Sequence, residues 1–355
     1  MKKIDLLLLA TVVFLTLFGL LMIYDASSFI AFRDFADKNH YVKDQALWVV
    51  LGFCMLLFFS FFDYRRLYNL SIPLLIVAII FLSLVFVPGV GIQVLGARRW
   101  IDAGVFVIQP AEFIKLSLAV YLSAWFSRKE KGRSFAFFLL LGLVMVLVML
   151  EPDLGTASII FLEAVIIYFL SGANILYFIG MAPIVAIGLF LLIKVESYRA
   201  QRLAAFLNIN QSLQNSSYHV KQILIALGMG GLTGVGLGNS LQKYAYLPEN
   251  TTDSIFAIIA EEIGFIGATI LIVLLAVVIW RGFYIALNSK DPFGRLLAGG
   301  ITSFLAIQMI LNLGSQTALF PLTGIPLPFI SYGGSSLVVD LLSVGILLNI
   351  SKNKI

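Results

Sequence analysis

The stretch LPENTTDSIFAIIAEEIGF, Leu247 to Phe265, sets Glu249, Asp253, Glu261 and Glu262 at and inside the start of a long apolar run in a chain that mostly avoids charge. Pro248, Glu249, Asn250 and two threonines form a polar lead-in, and Ile255 to Trp280 is apolar enough to cross a bilayer. Asp253 therefore falls where water meets membrane. Two readings fit that place. Unpaired N–H groups and the positive end of the dipole favour an acid at a helix start, so Asp253 can be a cap. An isolated carboxylate there can also serve as a general base. A helix start would favour its ionised form and hold activity well below neutral pH. Glu261 and Glu262 lie two turns deeper, where an ionisable side chain is costly and faces a protein interior or polar cavity.

Other polar residues gather on the same side of the expected topology. Arg98, Arg99, Arg199, Arg202 and Lys243 stand beside Glu151, Asp153, Glu249 and Asp253. Arginines bind phosphate oxygens bidentately and keep their charge, so the mixture suits a phosphate-bearing substrate that must lose a proton. Salt bridges at the membrane surface and contacts with lipid headgroups are the competing reading. Glu112 and Lys115, three apart in an apolar helix, can neutralise each other. Embedded charges of this kind are also functional candidates by default. His40 and His219 have no ligand partners at metal spacing, and His219 is expected at the membrane interface. Gly228 to Gly238 carries six glycines, but no strand precedes it and no Gly-Lys-Ser/Thr follows. Close backbone packing explains it better than a nucleotide loop.

These groups must be positioned by membrane helices. The 355 residues are 60% hydrophobic and 12% charged, with mean hydropathy +1.00, far from the roughly 25% charge of soluble domains. The net charge of +5 is scattered between apolar spans rather than striped, which argues against nucleic acid. Cys54, the single cysteine, is expected in the core. Apolar runs near the required length of roughly 20 residues fall at 5–25, 43–62, 68–87, 109–127, 134–150, 154–171, 174–194, 253–279, 294–314 and 331–350. The first is too long for a signal-peptide core and reads as an uncleaved span. The pair at 134–150 and 154–171 forms a tight hairpin. Ten spans place both termini on one side.

Orientation follows from the short loops. With the termini inside, the cytoplasmic side holds thirteen Lys and Arg residues and the short outer loops hold five: Arg33, Lys38, Lys43, Arg98 and Arg99. The chain is thus an all-α polytopic membrane protein, a single integral membrane domain over 1–355. Its one large extracytoplasmic loop, 195–252, includes an interfacial amphipathic helix over Tyr218 to Met229, with Val220, Ile223, Leu224 and Leu227 on its apolar face. The last outer loop, FPLTGIPLPFISYGGSSL, is rich in Pro and Gly and expected to be rigid.

The segments GARRWI, QPAEFIKL, EPDLGT, SYRAQRLAAF, LPENTTDSIFAIIAEEIGF and PLTGIPLPFISYGGSSL resemble, in order and over nearly the whole chain, the SEDS family of cell-wall proteins, the FtsW, RodA and SpoVE group. QKYAYLPE and RLAAF are more similar to the division branch, FtsW. The resemblance implies a ten-span peptidoglycan glycosyltransferase that polymerises lipid II on the outer face of the cytoplasmic membrane. It would act in septal wall synthesis, with a class B penicillin-binding transpeptidase and other divisome proteins. Asp253 matches the family's essential aspartate. Arg98, Arg99, Trp100, Glu112, Lys115, Asp153, Arg199, Arg202, Lys243, Glu249 and Glu261 match other motif positions and are expected at the substrate. Two departures stand out: Thr251-Thr252-Asp253 replaces His-Thr-Asp, and Asn208-Ile209 replaces Asp-Pro.

The mechanism so implied has the growing strand as donor and an acceptor hydroxyl on lipid II, with Asp253 taking that proton. Basic residues would stabilise the departing undecaprenyl pyrophosphate, and the anomeric centre inverts. A divalent cation, Mg or Mn, could assist the leaving group, although no cluster of oxygen ligands demands one. Two other functions compete. A lipid II flippase would be expected to show internal repeats and interrupted helices around a midplane site. A non-catalytic scaffold for the transpeptidase would need neither the embedded glutamate nor the arginines.

Overall fold

The computed structural model describes residues 4–94, 97–102, 104, 106–128, 133–173, 180, 183, 188, 200, 202–204, 206, 215–244 and 246–352. Its helices are α1 (Leu6–Phe35), α2 (His40–Phe61), α3 (Arg65–Leu84), α4 (Pro110–Phe126), α5 (Ser134–Leu150), α6 (Leu154–Leu170), α7 (Asn215–Gly230), α8 (Ile255–Leu287), α9 (Pro292–Gln316) and α10 (Gly334–Ser351). Nine of the ten apolar runs coincide with one of these; the run at 174–194 lies outside the described residues except for 180, 183 and 188. Six, α1, α2, α3, α8, α9 and α10, are long and apolar enough to cross a membrane, and α5 and α6 are shorter apolar helices of 17 residues. The chain is a polytopic membrane protein.

Local chemistry sets the ends. Asp5 caps α1 by accepting the Leu8 N–H at 3.2 Å, and Asp291 caps α9 through the Gly294 N–H at 3.2 Å. Pro110 and Pro292 occupy first-turn positions, where a missing N–H costs nothing. Helices α9 and α10 are buried on almost every side, whereas α1, α2, α3 and α8 turn Leu21, Phe61, Ile72 and Phe265 outward, as lipid contact requires. Cys54, expected in the core, is exposed on α2. Its thiol is small and apolar enough to face lipid.

Two features depart from the sequence reading. Between α3 and α4 the chain forms a small antiparallel sheet, β1 (Gly91–Val94), β2 (Ala97–Asp102) and β3 (Val107–Ile108), in the order β1-β2-β3. Arg98, Arg99 and Trp100 sit on its central strand. The other departure is in α8, expected as one continuous span and broken at Gly264 (φ 69°, ψ −173°), a conformation open to glycine. The break frees the carbonyls of Glu261 and Glu262, which accept the N–H groups of Val235 and Gly236 at 3.0 Å each. Below the break, the N–H groups of Phe265 and Ile266 donate to Gly231 and Leu232. A Cβ on Gly234 would lie 2.1 Å from the Glu262 carbonyl oxygen, so the glycine run serves close backbone packing as expected. The segment Phe265 to Leu287 then spans roughly 35 Å, close to the roughly 30 Å of the hydrocarbon layer. The short first half of α8, with Asp253 before it, projects past the break.

Helix α7 matches the amphipathic helix of the large loop. Its buried face, Val220, Ile223 and Ala226, packs with Ala257 and Ile258 of α8, while Leu224 points away.

Candidate active site

Asp253 lies in the turn before α8, not in it. The residue at the cap is Ser254, which makes no side-chain cap bond, and Asp253 Oδ1 accepts the Thr252 hydroxyl at 3.1 Å. The capping reading is therefore overturned. The ionisation expected from it is overturned too: burial of the carboxyl, then the neighbouring Glu249 charge, push Asp253 up to about 6, while its own N–H, Thr252 and Arg202 pull the other way. Glu249 is exposed, has φ +49°, and accepts the same Thr252 hydroxyl at 2.9 Å, so one hydroxyl joins the two acids.

Across from them is the loop between α9 and α10. Arg202 Nη1 donates to the Leu322 carbonyl at 3.0 Å. Gly324, at φ +73°, is next to both charges: a Cβ there would lie 4.0 Å from Arg202 Nη1 and 4.0 Å from Asp253 Oδ2. Hydrogen bonds fasten the end of this loop. The Tyr332 N–H donates to Thr251 O at 2.9 Å, the Tyr332 hydroxyl to Asp44 at 2.6 Å, and Gly333 N–H to Gln45 at 3.2 Å.

Three residues close to this centre were not singled out as site residues. His219 Nε2 is 2.7 Å from the Ser254 hydroxyl. Burial, then the Arg202 charge, lower this histidine to about 4, so it is a neutral partner at pH 7. It comes from α7 and not from the loop position where the family carries histidine. Asn312 and Gln316 of α9 reach the main chain of Asp253 at 2.9 and 2.8 Å. Gln308, Asn312 and Gln316 repeat every fourth residue on an apolar helix, a polar stripe visible in the sequence.

The other expected site residues have partners of their own. Arg99 donates through Nε to Glu151 O at 2.9 Å and through Nη2 to Pro152 O at 2.6 Å, clamping the α5–α6 turn. Asp153 caps α6, accepting the Thr156 N–H at 3.0 Å and the Thr156 hydroxyl at 2.8 Å. These bonds give the turn carbonyls and the helix N–H group the partners they need. Glu151 is wholly buried with neither oxygen hydrogen-bonded, and burial, then Asp153, push it up to about 9 against the pull of Arg99. Lys243 binds Asp25 of α1 at 3.0 Å and Glu262 at 3.2 Å. Glu261 accepts the Ser240 hydroxyl and the Leu241 N–H at 3.3 Å. These bonds fasten the glycine-rich loop to the break in α8. Glu112 and Lys115 form a buried pair at 2.7 Å, and Lys115 also donates to Gln308 at 2.9 Å. Arg98 is exposed on β2 and Trp100 is half-buried beside it; Arg199 lies outside the described residues.

Asp253 and Glu249 are two carboxylates, and among the described residues no group of three or more His, Cys, Asp or Glu side chains converges as metal ligands. Two carboxylates with no third ligand side chain do not fit a resident divalent cation.

The model of the cell cycle protein family FTSW_RODA_SPOVE matches residues 5–355. The chain belongs to this family. It is 41% identical over 354 residues to stage V sporulation protein E of Bacillus subtilis (98% of this chain, 97% of that protein) and 37% identical to a probable peptidoglycan glycosyltransferase FtsW of Geobacter metallireducens (99% and 95%). Among solved structures, a chain of a peptidoglycan synthase complex, described as coordinating polymerization and crosslinking, is similar with TM-score 0.81 and 25% identity, covering 98% of both chains. Rod shape determining protein RodA of Thermus thermophilus is similar with TM-score 0.73 and 27% identity, covering 99% of this chain and 98% of that one. In this member of the FtsW, RodA and SpoVE family, the motif residues sort into two groups. Asp253, Glu249 and Arg202 lie near one another, Arg202 also bonded to Leu322 O, whereas Arg99, Asp153, Lys243, Glu261, Glu112 and Lys115 bond within the bundle.

Proposed function

We propose that this chain is a peptidoglycan glycosyltransferase that polymerises lipid II, in septal wall synthesis, on the outer side of the cytoplasmic membrane. The observation that carries this reading is a carboxyl pushed up to about 6, with Gly324 next to both it and Arg202, at the position matching the family's aspartate. Asp253 takes the proton of the acceptor hydroxyl as that oxygen bonds to the anomeric carbon of the donor strand. The bond from that carbon to the pyrophosphate oxygen breaks, and the leaving group takes the electron pair. Arg202 is placed to balance its charge. The proton then passes from Asp253 to solvent. A base near pKa 6 is stronger than an ordinary carboxylate yet mostly ionised at neutral pH.

The FtsW-named relatives and the synthase-complex neighbour support both the activity and a class B penicillin-binding transpeptidase as partner. The deciding experiment incubates purified protein with labelled lipid II, with and without that transpeptidase. Absence of glycan strands in both would sink the reading. The similarity to a sporulation protein favours a second setting, wall synthesis during sporulation; depletion followed by microscopy of septa and spores separates the two. For orientation, a Leu237→Cys label site in a Cys54→Ser background should react from outside in intact cells, and protection there would reverse the topology.

The pH dependence follows from the Asp253 shift. Because the carboxyl must be ionised to accept a proton, turnover should fall as pH drops through about 6, not through the usual carboxylate range near 4. Removing the Glu249 charge with Glu249→Gln should move that midpoint down. Initial rates against pH for both proteins check this; identical midpoints would remove Glu249 from the account.

A further inference from the structure

The start of α8 is capped from a different helix. With Ser254 at the cap, the Ala257 N–H is among the first four N–H groups, which have no carbonyl four residues back within the helix. It donates to Ser254 O at 3.1 Å and to Gln316 Oε1 of α9 at 2.8 Å, and Gln316 Nε2 donates to Asp253 O at 2.8 Å. Asn312, one turn earlier on α9, donates to Asp253 O at 2.9 Å and to Ile325 O at 2.7 Å, and its Oδ1 accepts from Gln316 Nε2 at 2.8 Å. Asn312 is 0% and Gln316 1% exposed. Two buried amides thus carry the main chain of Asp253 on α9 and tie it to the loop that holds Gly324.

We propose that Gln316 and Asn312 are positioning residues for Asp253, a two-amide clip that sets where its carboxylate meets the acceptor hydroxyl. This rests on Asp253 being the base. A side-chain amide presents the same donor and acceptor as a peptide group, so Gln316 serves a helix-start N–H and the Asp253 carbonyl at once. The Asp253 carboxylate stays outside α8, accepting from the Thr252 hydroxyl and not from the helix N–H groups. Neither amide touches substrate, so substrate binding is independent of the clip. Misplacing a reacting group by about 1 Å costs on the order of 100-fold.

The test uses the full-length purified protein and labelled lipid II. Gln316→Met keeps the volume and removes all three of its bonds; Gln316→Glu keeps an acceptor for Ala257 and loses the donor to Asp253 and Asn312. Each should lower the melting temperature, because buried partners lose their bonds; assayed well below that temperature, each should show a kcat about 10- to 100-fold lower with KM for lipid II within about twofold. In an Asp253→Asn background the same changes should cost little more, because the clip acts only through that carboxylate. Wild-type kcat in Gln316→Met, or the same loss with and without Asp253, overturns the clip. If Gln316→Met does not fold, Gln316→Glu is judged by the same criteria. A fully active Asp253→Asn protein would instead overturn the base, whatever the Gln316 variants do.

Discussion

Asp253→Asn should give a protein that folds, still binds its transpeptidase, and forms almost no glycan from lipid II. Its fold should survive because the aspartate side chain does not hold α8. The helix start is tied by main-chain bonds to Gln316 and Asn312, which an Asn at 253 leaves in place. The Thr252 hydroxyl can donate to an Asn carbonyl oxygen as it does to Oδ1. What the amide lacks is the ability to accept the proton. Loss of a positioned base typically lowers the rate about 100- to 10,000-fold, read as initial polymerisation rate against wild type at matched melting temperature. Near-normal polymerisation by the folded variant would remove Asp253 from catalysis.

Much of this site was legible before any coordinates, and the failures have identifiable causes. Apolar runs located the described membrane helices because burying backbone polar groups in lipid leaves few alternatives to helix. The break in α8 was not legible. A single Gly264 among apolar residues fits a continuous helix equally well, and only the docking of Gly231 to Gly236 on the freed carbonyls explains it. Motif matching picked out Arg99 and Asp153, whose bonds to the α5–α6 turn were not legible because their partners are backbone groups. Asp253 was found for a sound reason and its pKa was misjudged. The helix-start argument needs N–H groups aimed at the carboxylate, and here the structure gives it Thr252, Glu249 and burial. His219 looked isolated because its partner, Ser254, is 35 residues away and a hydroxyl, not a metal ligand.

Lys115→Met should be among the most destabilising single changes in the chain. Lys115 is 0% exposed, bonded to Glu112 at 2.7 Å and to Gln308 Oε1 at 2.9 Å. Removing it leaves the Glu112 charge in a dry interior and an amide oxygen without a donor. Breaking one partner of such a pair costs about 3–5 kcal/mol, whereas replacing both with neutral groups of similar size is often nearly neutral. The double variant Glu112→Gln/Lys115→Met should therefore recover part of the lost melting temperature; recovery stays incomplete because Lys115 also faces Asp340 and Glu163. The consequence extends to the site. Gln308 Nε2 donates to Pro326 O at 3.1 Å and to the Ser336 hydroxyl at 3.3 Å, so Lys115 steadies the residue that anchors the loop carrying Gly324. If that is the pair's whole role, glycan synthesis should return in the double variant along with stability. A double variant that is stable and still inactive would mean that Lys115 meets the substrate directly, and the buried pair would have to open during turnover.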